Sequence, residues 1–247
     1  MNENKFDCKA ELYAKYRSSY PTALVDMLYE ESGANAVADI GAGTGIFTKC
    51  LAVKPWKVIA VEPNADMAEQ FKYEVCDKAE LLAAPAENTG LPDNSVGLVT
   101  AAQSFHWFDE ELFKAECKRI LVPNGCLAII WNTIKEQKEG SLEDKLNALC
   151  LEYCGKCRAG KHRVENDGED YLMSYLPNCT YYEFDNSEVR DKESFIGEVL
   201  SRSYAPCEGT ELYDDFKAAL SELFDRYSVN GVVTIPRIAC CYLYKNV

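Results

Sequence analysis

Short apolar runs alternate with amphipathic stretches through the middle of the chain. The runs lie at residues 34–40, 57–61, 96–101 and 126–131. Continuous apolar runs of this length predict strands that are buried on both faces of a parallel sheet. Between the first two runs, residues 46–53 are predicted to form the first turns of a helix. Strands that alternate with helices predict an α/β fold.

Before these runs, residues 7–30 are predicted to form a helix-like arm. Tyr13, Tyr16 and Tyr20 recur at helical spacing, and Arg17 lies beside them. This tyrosine face predicts either a packed amphipathic helix or a flap over a ligand. Arg17 suits either contact with an anionic substrate or a surface ion pair.

After residue 132 the pattern loosens into a mixture of helices and strands. Helices are predicted at 141–157, 192–203 and 211–227, a strand at 181–184, and a closing β segment at 231–244. The length of 247 residues fits one domain. We divide that domain into a helical arm (1–33), a core (34–132), a helical insertion (133–176) and a C-terminal part (177–247).

Composition and charge narrow the possible environments and partners. Hydrophobic residues make up 47% of the chain, yet no apolar run approaches the roughly 20 residues that span a membrane. The N-terminal residues lack the pattern of a signal peptide, so we expect a cytoplasmic protein with no membrane partner. The formal net charge of −14 argues against a nucleic-acid partner, because phosphates would be repelled.

A glycine-rich turn joins the first predicted strand to the first predicted helix. Gly41, Gly43 and Gly45 follow Asp39 in the pattern D-x-G-x-G-x-G. Glycines allow a tight turn and a close approach of a ligand to the backbone. The helix that follows directs unpaired N–H groups toward that ligand. The motif of dinucleotide-binding folds needs a small residue where this chain has Ile46, which disfavours NAD.

This pattern resembles the first motif of class I S-adenosylmethionine-dependent methyltransferases. In that family the loop lies against the methionine part of the cofactor, and the acidic residue helps to hold its amino group. Glu62 ends the second strand, where a carboxylate can accept hydrogen bonds from a ribose diol. Ala86 and Glu87, with residues 91–95, resemble the motif beside the adenine. The implied cofactor site is Asp39, Gly41, Gly43, Gly45, Glu62, Pro63, Met67, Ala86, Glu87 and Gln103.

Two positions depart from the family pattern, which otherwise covers residues 39–132. Pro85 stands where many relatives have an aspartate that contacts the adenine amino group. Gly97 stands where relatives commonly have an aspartate that stabilises a turn. We expect the first change to leave the adenine contact to Ala86 and Glu87. We expect the second to cost some local stability.

The resemblance implies a Rossmann-like sheet of seven mostly parallel strands, with helices on both faces and an antiparallel hairpin at its end. The motif order is similar to small-molecule methyltransferases of the ubiquinone-biosynthesis and trans-aconitate types. It implies a metabolite substrate in a pocket roofed by the arm and by residues 133–176 as a helical lid. The expected pocket residues are Tyr13, Tyr16, Arg17, Tyr20, His106, Trp107 and Asn132.

His106 is the candidate general base, since imidazole titrates near neutrality and follows the fourth strand. It could instead be a structural residue or a part of the pocket wall. Trp107 offers an aromatic face to a cationic or apolar substrate, or packs in the core. A protein that binds S-adenosylmethionine without turnover, or an NAD-binding oxidoreductase, stays an alternative.

Cys150, Cys154 and Cys157 precede His162 at a spacing that would suit zinc or an iron–sulfur cluster. The same cysteines also fall on the apolar stripe of the predicted helix at 141–157. A packed helix accounts for them without a metal, and we therefore predict no metal site.

Overall fold

A seven-stranded sheet forms the centre of the computed structural model, which describes residues 9–134, 138–155 and 171–245. Its strands are β1 (Ala36–Ile40), β2 (Lys57–Val61), β3 (Glu80–Leu82), β4 (Val96–Ala102), β5 (Leu121–Ile134), β6 (Thr180–Asp185) and β9 (Arg237–Lys245). A separate ribbon pairs β7 (Glu188–Arg190) with β8 (Val233–Ile235).

The strand order is β3-β2-β1-β4-β5-β9-β6. The first five of these pair in parallel, whereas β9 is antiparallel to both β5 and β6. The mostly parallel seven-stranded sheet and its closing antiparallel hairpin are therefore confirmed. The chain order reverses between β1 and β4, and ligands of open α/β sheets bind at the carboxyl ends of the strands at such a point.

Helices cover both faces of the sheet, as predicted. They are α1 (Ala10–Tyr16), α2 (Thr22–Ser32), α3 (Ile46–Leu51), α4 (Ala65–Val75), α5 (Glu110–Ile120), α6 (Leu142–Cys154), α7 (Tyr171–Tyr175), α8 (Lys192–Leu200) and α9 (Tyr213–Tyr227). Neighbouring residues of β1 point to opposite faces. Val37 packs with α2 and α3, whereas Ala38 packs in the cluster that contains α5. Helices α6, α8 and α9 form a further apolar cluster with β8.

The arm is two helices, and the prediction of one continuous helix was wrong. Helix α1 ends at Tyr16, and α2 begins at Thr22 after Pro21. A proline disfavours helical backbone in the residue before it, so the chain is extended at this point. We call residues 17–21 the strap. Tyr20 belongs to the strap and does not share a helix face with Tyr13 and Tyr16.

The helix predicted at 141–157 is present but shorter. Ser141 accepts a hydrogen bond from the Asp144 N–H at its start, and Gly155, with a φ of 64°, ends it. The helix buries Cys150 fully, whereas Cys157 and His162 lie outside the described residues. Within the described ranges, no group of three or more His, Cys, Asp or Glu side chains is arranged to hold a metal ion. None of the described helices is both long and apolar enough to cross a membrane.

Candidate cofactor and substrate cavity

A cavity of about 640 Å³ lies at the carboxyl edge of the sheet. Its volume falls within the usual range for small-molecule sites. It extends from the β1–α3 turn and the end of β2, past the ends of β4 and β5, to the start of β9. The predicted site residues that line it are Tyr13, Arg17, Tyr20, Asp39, Gly41, Gly43, Glu62, Pro63, Met67, Ala86, Glu87, Gln103, His106, Trp107 and Asn132.

The three glycines of the β1–α3 turn all have positive φ, but each meets different surroundings. A Cβ on Gly41 would lie 2.6 Å from the Cβ of Ser104, so this glycine allows the loop after β4 to pack closely. A Cβ on Gly45 would lie 2.3 Å from Val75, so this glycine serves the packing of α4. A Cβ on Gly43 would meet nothing within 4 Å. Only Gly43 leaves open space of the kind that a ligand would fill.

Asp39 is buried beneath the turn and already has partners. One carboxylate oxygen accepts a hydrogen bond from Thr48 at 2.6 Å, and the other accepts one from Thr100 at 3.0 Å. Burial raises the pKa of Asp39 to about 6, although the two hydroxyl groups act in the opposite direction. The carboxylate therefore ties α3 and β4 to β1, and it also lines the cavity.

Glu62 directly follows β2 and faces the glycine turn. Its Oε2 accepts a hydrogen bond from the Gly43 N–H and its Oε1 accepts one from the Asn64 N–H, both at 2.8 Å. Burial raises the pKa of Glu62, while these two backbone N–H groups lower it in part. Each oxygen keeps a second lone pair. The carboxylate can thus fix the turn and still accept hydrogen bonds from a ligand.

The structure shows what surrounds Pro85 and Gly97, the two positions that depart from the family pattern. Pro85, Ala86 and Glu87 all line the cavity, and the Glu87 carboxylate accepts a hydrogen bond from the Asp109 N–H at the start of α5. At Gly97, a Cβ would lie only 2.8 Å from the Cβ of Ala34. An aspartate would clash there. Close packing against Ala34 therefore decides which residue this position accepts, and any loss of stability in the local turn comes second.

Aromatic rings and hydrogen-bonded amide side chains line the middle part of the cavity. The His106 ring lies 4.4 Å from the ring of Trp107 and 5.3 Å from that of Trp131, measured between centroids. Gln103 has a φ of 56° and donates a hydrogen bond to the Asn132 carbonyl oxygen at 2.7 Å. The left-handed backbone at Gln103 ends β4 and turns the chain toward His106.

The strap is fixed at one edge of this cavity. The Ser19 carbonyl oxygen accepts hydrogen bonds from the side-chain amides of Asn132, at 3.1 Å, and Asn186, at 2.9 Å. Tyr20 packs edge-on against Phe47, with centroids 4.7 Å apart. Tyr16 points elsewhere: its hydroxyl donates to Glu193 at 2.6 Å and its ring covers Gly197. Tyr16 therefore packs the arm onto α8, contrary to its expected place in the pocket.

A buried ionic cluster closes the far end of the cavity. Glu198 is 2% exposed and forms ion pairs with Arg17 at 3.6 Å, Arg202 at 3.1 Å and Arg237 at 3.4 Å. Burial opposes its ionisation, but the arginine charges outweigh that effect and hold the pKa of Glu198 well below its usual range. All four residues line the cavity. We call them the arginine cluster.

Sequence patterns pointed only to Arg17 in this cluster. The other members come from α8, from the turn after it and from the first residue of β9. Glu198 and Arg202 are an i,i+4 pair, but no local spacing links them to Arg17 or Arg237. That pairing, the charged residue inside the apolar pattern of α8 and the charged residue at the start of a buried strand were the available signals.

Comparisons with known proteins agree with this architecture. A family model described as a methyltransferase domain matches residues 38–129. An uncharacterized methyltransferase of Schizosaccharomyces pombe is 33% identical over 237 residues, which cover 91% of this chain and 86% of that protein. An uncharacterized methyltransferase of Mycobacterium bovis is 38% identical over 125 residues. That match covers 51% of each chain, so this chain spans about half the length of the mycobacterial relative.

Solved structures share the fold along nearly the whole chain. A protein described as a type II methyltransferase from Anaeromyxobacter dehalogenans has a TM-score of 0.66 at 22% identity, covering 94% of this chain and 99% of the other. A protein from Anabaena variabilis, described as a methyltransferase of an antibiotic pathway, has a TM-score of 0.63 at 20% identity, covering 93% and 98%.

Proposed function

Since the chain belongs to the class I S-adenosylmethionine-dependent methyltransferase family, we propose that it transfers a methyl group from S-adenosylmethionine to a small-molecule acceptor. The observation that carries this proposal is the cradle at Gly43. Its backbone faces open space within the cavity, with Glu62 fixed beside it.

The residues at this end of the cavity fit the cofactor. The turn at Gly43 presents backbone without a side chain to a ligand, and the second lone pairs of the Glu62 carboxylate are suited to the two hydroxyl groups of a ribose. Pro63, Met67, Ala86 and Glu87 continue the same wall and would enclose the adenosine part. When bound, S-adenosylmethionine supplies a methyl group on a positively charged sulfur.

The rest of the cavity would orient the acceptor. Positioning is the main contribution that an enzyme makes to an in-line displacement. His106, Trp107 and Trp131 line the middle of the cavity, next to the β1–β4 switch point. In this proposal His106 takes the proton that the acceptor's nucleophile loses as the new bond to carbon forms and the bond from that carbon to sulfur breaks. A small acceptor is favoured because the strap, α6 and α8 surround this space.

Calorimetry with S-adenosylmethionine, its demethylated product and NAD tests the cofactor assignment. We expect the first two to bind and NAD not to bind. A complete absence of S-adenosylmethionine binding would overturn the proposal. A product assay with methyl-labelled cofactor and a metabolite panel then tests catalysis, since binding without any transfer would favour the non-catalytic alternative.

A further inference from the structure

The arginine cluster holds more hydrogen-bond donors than the described part of the chain accepts. Arg202 donates to Glu198 and to the Tyr204 hydroxyl, each at 3.1 Å. Arg17 and Arg237 form ion pairs with Glu198, yet neither guanidinium donates a hydrogen bond of good geometry to any group within residues 9–134, 138–155 and 171–245. Each guanidinium carries five N–H donors.

Burial makes these unused donors significant. The side chain of Arg237 is only 10% exposed and that of Arg17 is 26% exposed. The Nε atoms of both are buried, and among the described groups they have no acceptor. Buried polar groups are normally paired, and an unpaired one calls for an explanation such as a bound ligand. The enclosed Nε atoms are out of a ligand's reach, but both side chains line the cavity, so a ligand oxygen could satisfy other N–H groups of each guanidinium.

The charges nearby leave the guanidinium groups in excess. Glu198 is shared among three arginines. Glu188 is held mainly by Arg190, at 2.8 Å, and lies 3.7 Å from Arg237. Glu143 also lines the cavity, from the first turn of α6. Among the residues that the structure describes, four arginines thus meet three carboxylates here. The surplus suits a singly charged anion, and the whole-chain charge of −14 makes this positive site an exception.

The position along the sheet separates this site from the cofactor cradle. Arg237 pairs with Ile134 at the carboxyl end of β5, and β9 lies three strands from β1. At about 4.8 Å per strand, the two sites lie roughly 14 Å apart along the edge. His106, which follows β4, is between them. An acceptor held at Arg237 would therefore extend toward the middle of the cavity.

We propose that Arg17 and Arg237 bind a carboxylate of the methyl acceptor, with Glu198 and Arg202 as positioning residues that hold the two guanidinium groups in place. This inference rests on the proposed function and names its substrate class as small carboxylic acids. A guanidinium fork matches the two oxygens of a carboxylate. Because Arg17 belongs to the strap, acid binding also connects the strap to β9.

Titration calorimetry on the full chain, saturated with S-adenosylhomocysteine, tests the proposal with matched probes. Benzoate is compared with benzamide, and succinate with succinamide, because each amide keeps the shape but lacks the charge. We expect the acids to bind roughly tenfold or more tightly than the amides, as a charge-assisted contact provides. Equal affinities, or no acid binding, would overturn the proposal. Phenyl phosphate bound more tightly than benzoate would overturn the carboxylate assignment.

Variants locate the binding. Arg17→Gln and Arg237→Gln should each weaken acid binding by roughly tenfold or more without changing the affinity for S-adenosylhomocysteine. Arg226→Gln, at an exposed arginine of α9, is the control and should change neither affinity. If Arg237→Gln does not fold, Arg17→Gln on the strap and Arg237→Lys, which keeps the charge, still decide the matter. Wild-type acid binding in the Arg17 and Arg237 variants contradicts the inference, whereas failure of S-adenosylhomocysteine to bind to the wild-type chain contradicts the proposed function instead.

Discussion

On one side of the cavity the chain presents backbone from a single stretch, residues 39–45, whereas on the other side it presents side chains from Arg17, Glu198, Arg202 and Arg237. The first side depends on glycine conformation and on one carboxylate, Glu62, that braces the turn. The second depends on buried ion pairs between separate elements, with the positive charges in excess. We infer that the first side can accept one cofactor throughout a family, while the second can change its ligand by single substitutions.

Gly43→Val should have the largest effect on binding, and this effect should be confined to the glycine side of the cavity. A branched side chain would fill the open cradle, and its backbone at a φ of 58° would be strained by about 1–3 kcal/mol. We expect affinity for S-adenosylmethionine to fall by on the order of 100-fold or more. Gly209→Val is the matched control, since Gly209 also has positive φ and open surroundings but does not line the cavity. Equal losses in both variants would mean that strain, not the cradle, is responsible.

His106→Ala tests whether His106, which lies between the two sides, acts on the acceptor and not on the cofactor. A general base acts on the acceptor in the transition state and not on the bound cofactor. With a confirmed acceptor, kcat should fall by roughly 100-fold, while the Kd for S-adenosylmethionine stays unchanged. An unaltered kcat would make His106 a wall residue and leave catalysis to positioning alone.

Glu62→Ala should weaken cofactor binding more moderately. It removes charge-assisted hydrogen bonds worth about 1.5–3 kcal/mol each, and it also releases the Gly43 N–H. Calorimetry should show more than a tenfold rise in Kd with the fold retained by circular dichroism. Glu62→Gln, which keeps the shape and one acceptor oxygen, should lose less. Wild-type affinity in the alanine variant would remove Glu62 from the site.

Asp39→Asn should have the smallest effect, visible in the pH dependence of stability. The folded-state pKa of about 6 lies above the ordinary value of 3.8, so protonation favours the folded state. This contribution is fully present below the ordinary value and is lost as pH rises through about 6. Between pH 7 and pH 5, wild type should therefore gain about 1 kcal/mol relative to the variant. Urea unfolding at the two pH values measures this difference. The raised pKa of Asp39 would be contradicted if the free energy of unfolding changed equally in wild type and variant between pH 7 and pH 5.

The contrast between the two sides also explains what the sequence could predict. The turn at residues 39–45 and strand β2 were predictable because their patterns are local. The tyrosine spacing of the arm predicts one helix through Tyr20. Pro21 instead keeps the backbone before it extended, which divides the arm into two helices. The short strand β3 and the β7–β8 ribbon carry too few residues for a periodic pattern.

The arginine cluster could not be predicted from the sequence, for a different reason. Arg202 reaches Glu198 at i,i+4. Arg237, however, meets Glu198 only after β9 has joined the sheet, and no spacing in the sequence encodes that meeting. The glycines of the turn were found as a group, yet their separate roles appeared only from the atoms around each one. Gly45, for example, faces Val75 and not the cavity.

The close approach of Gly97 to Ala34 sets a rule for how relatives of this chain can diverge. The backbone of β4 passes so near Ala34, two residues before β1, that a side chain at 97 would come within 3.1 Å of the Ala34 Cα as well as 2.8 Å of its Cβ. Replacing Gly97 alone should therefore be selected against, whichever residue replaces it. The two positions form an epistatic pair, and an aspartate can enter at 97 only in a lineage where the chain at 34 has first moved away.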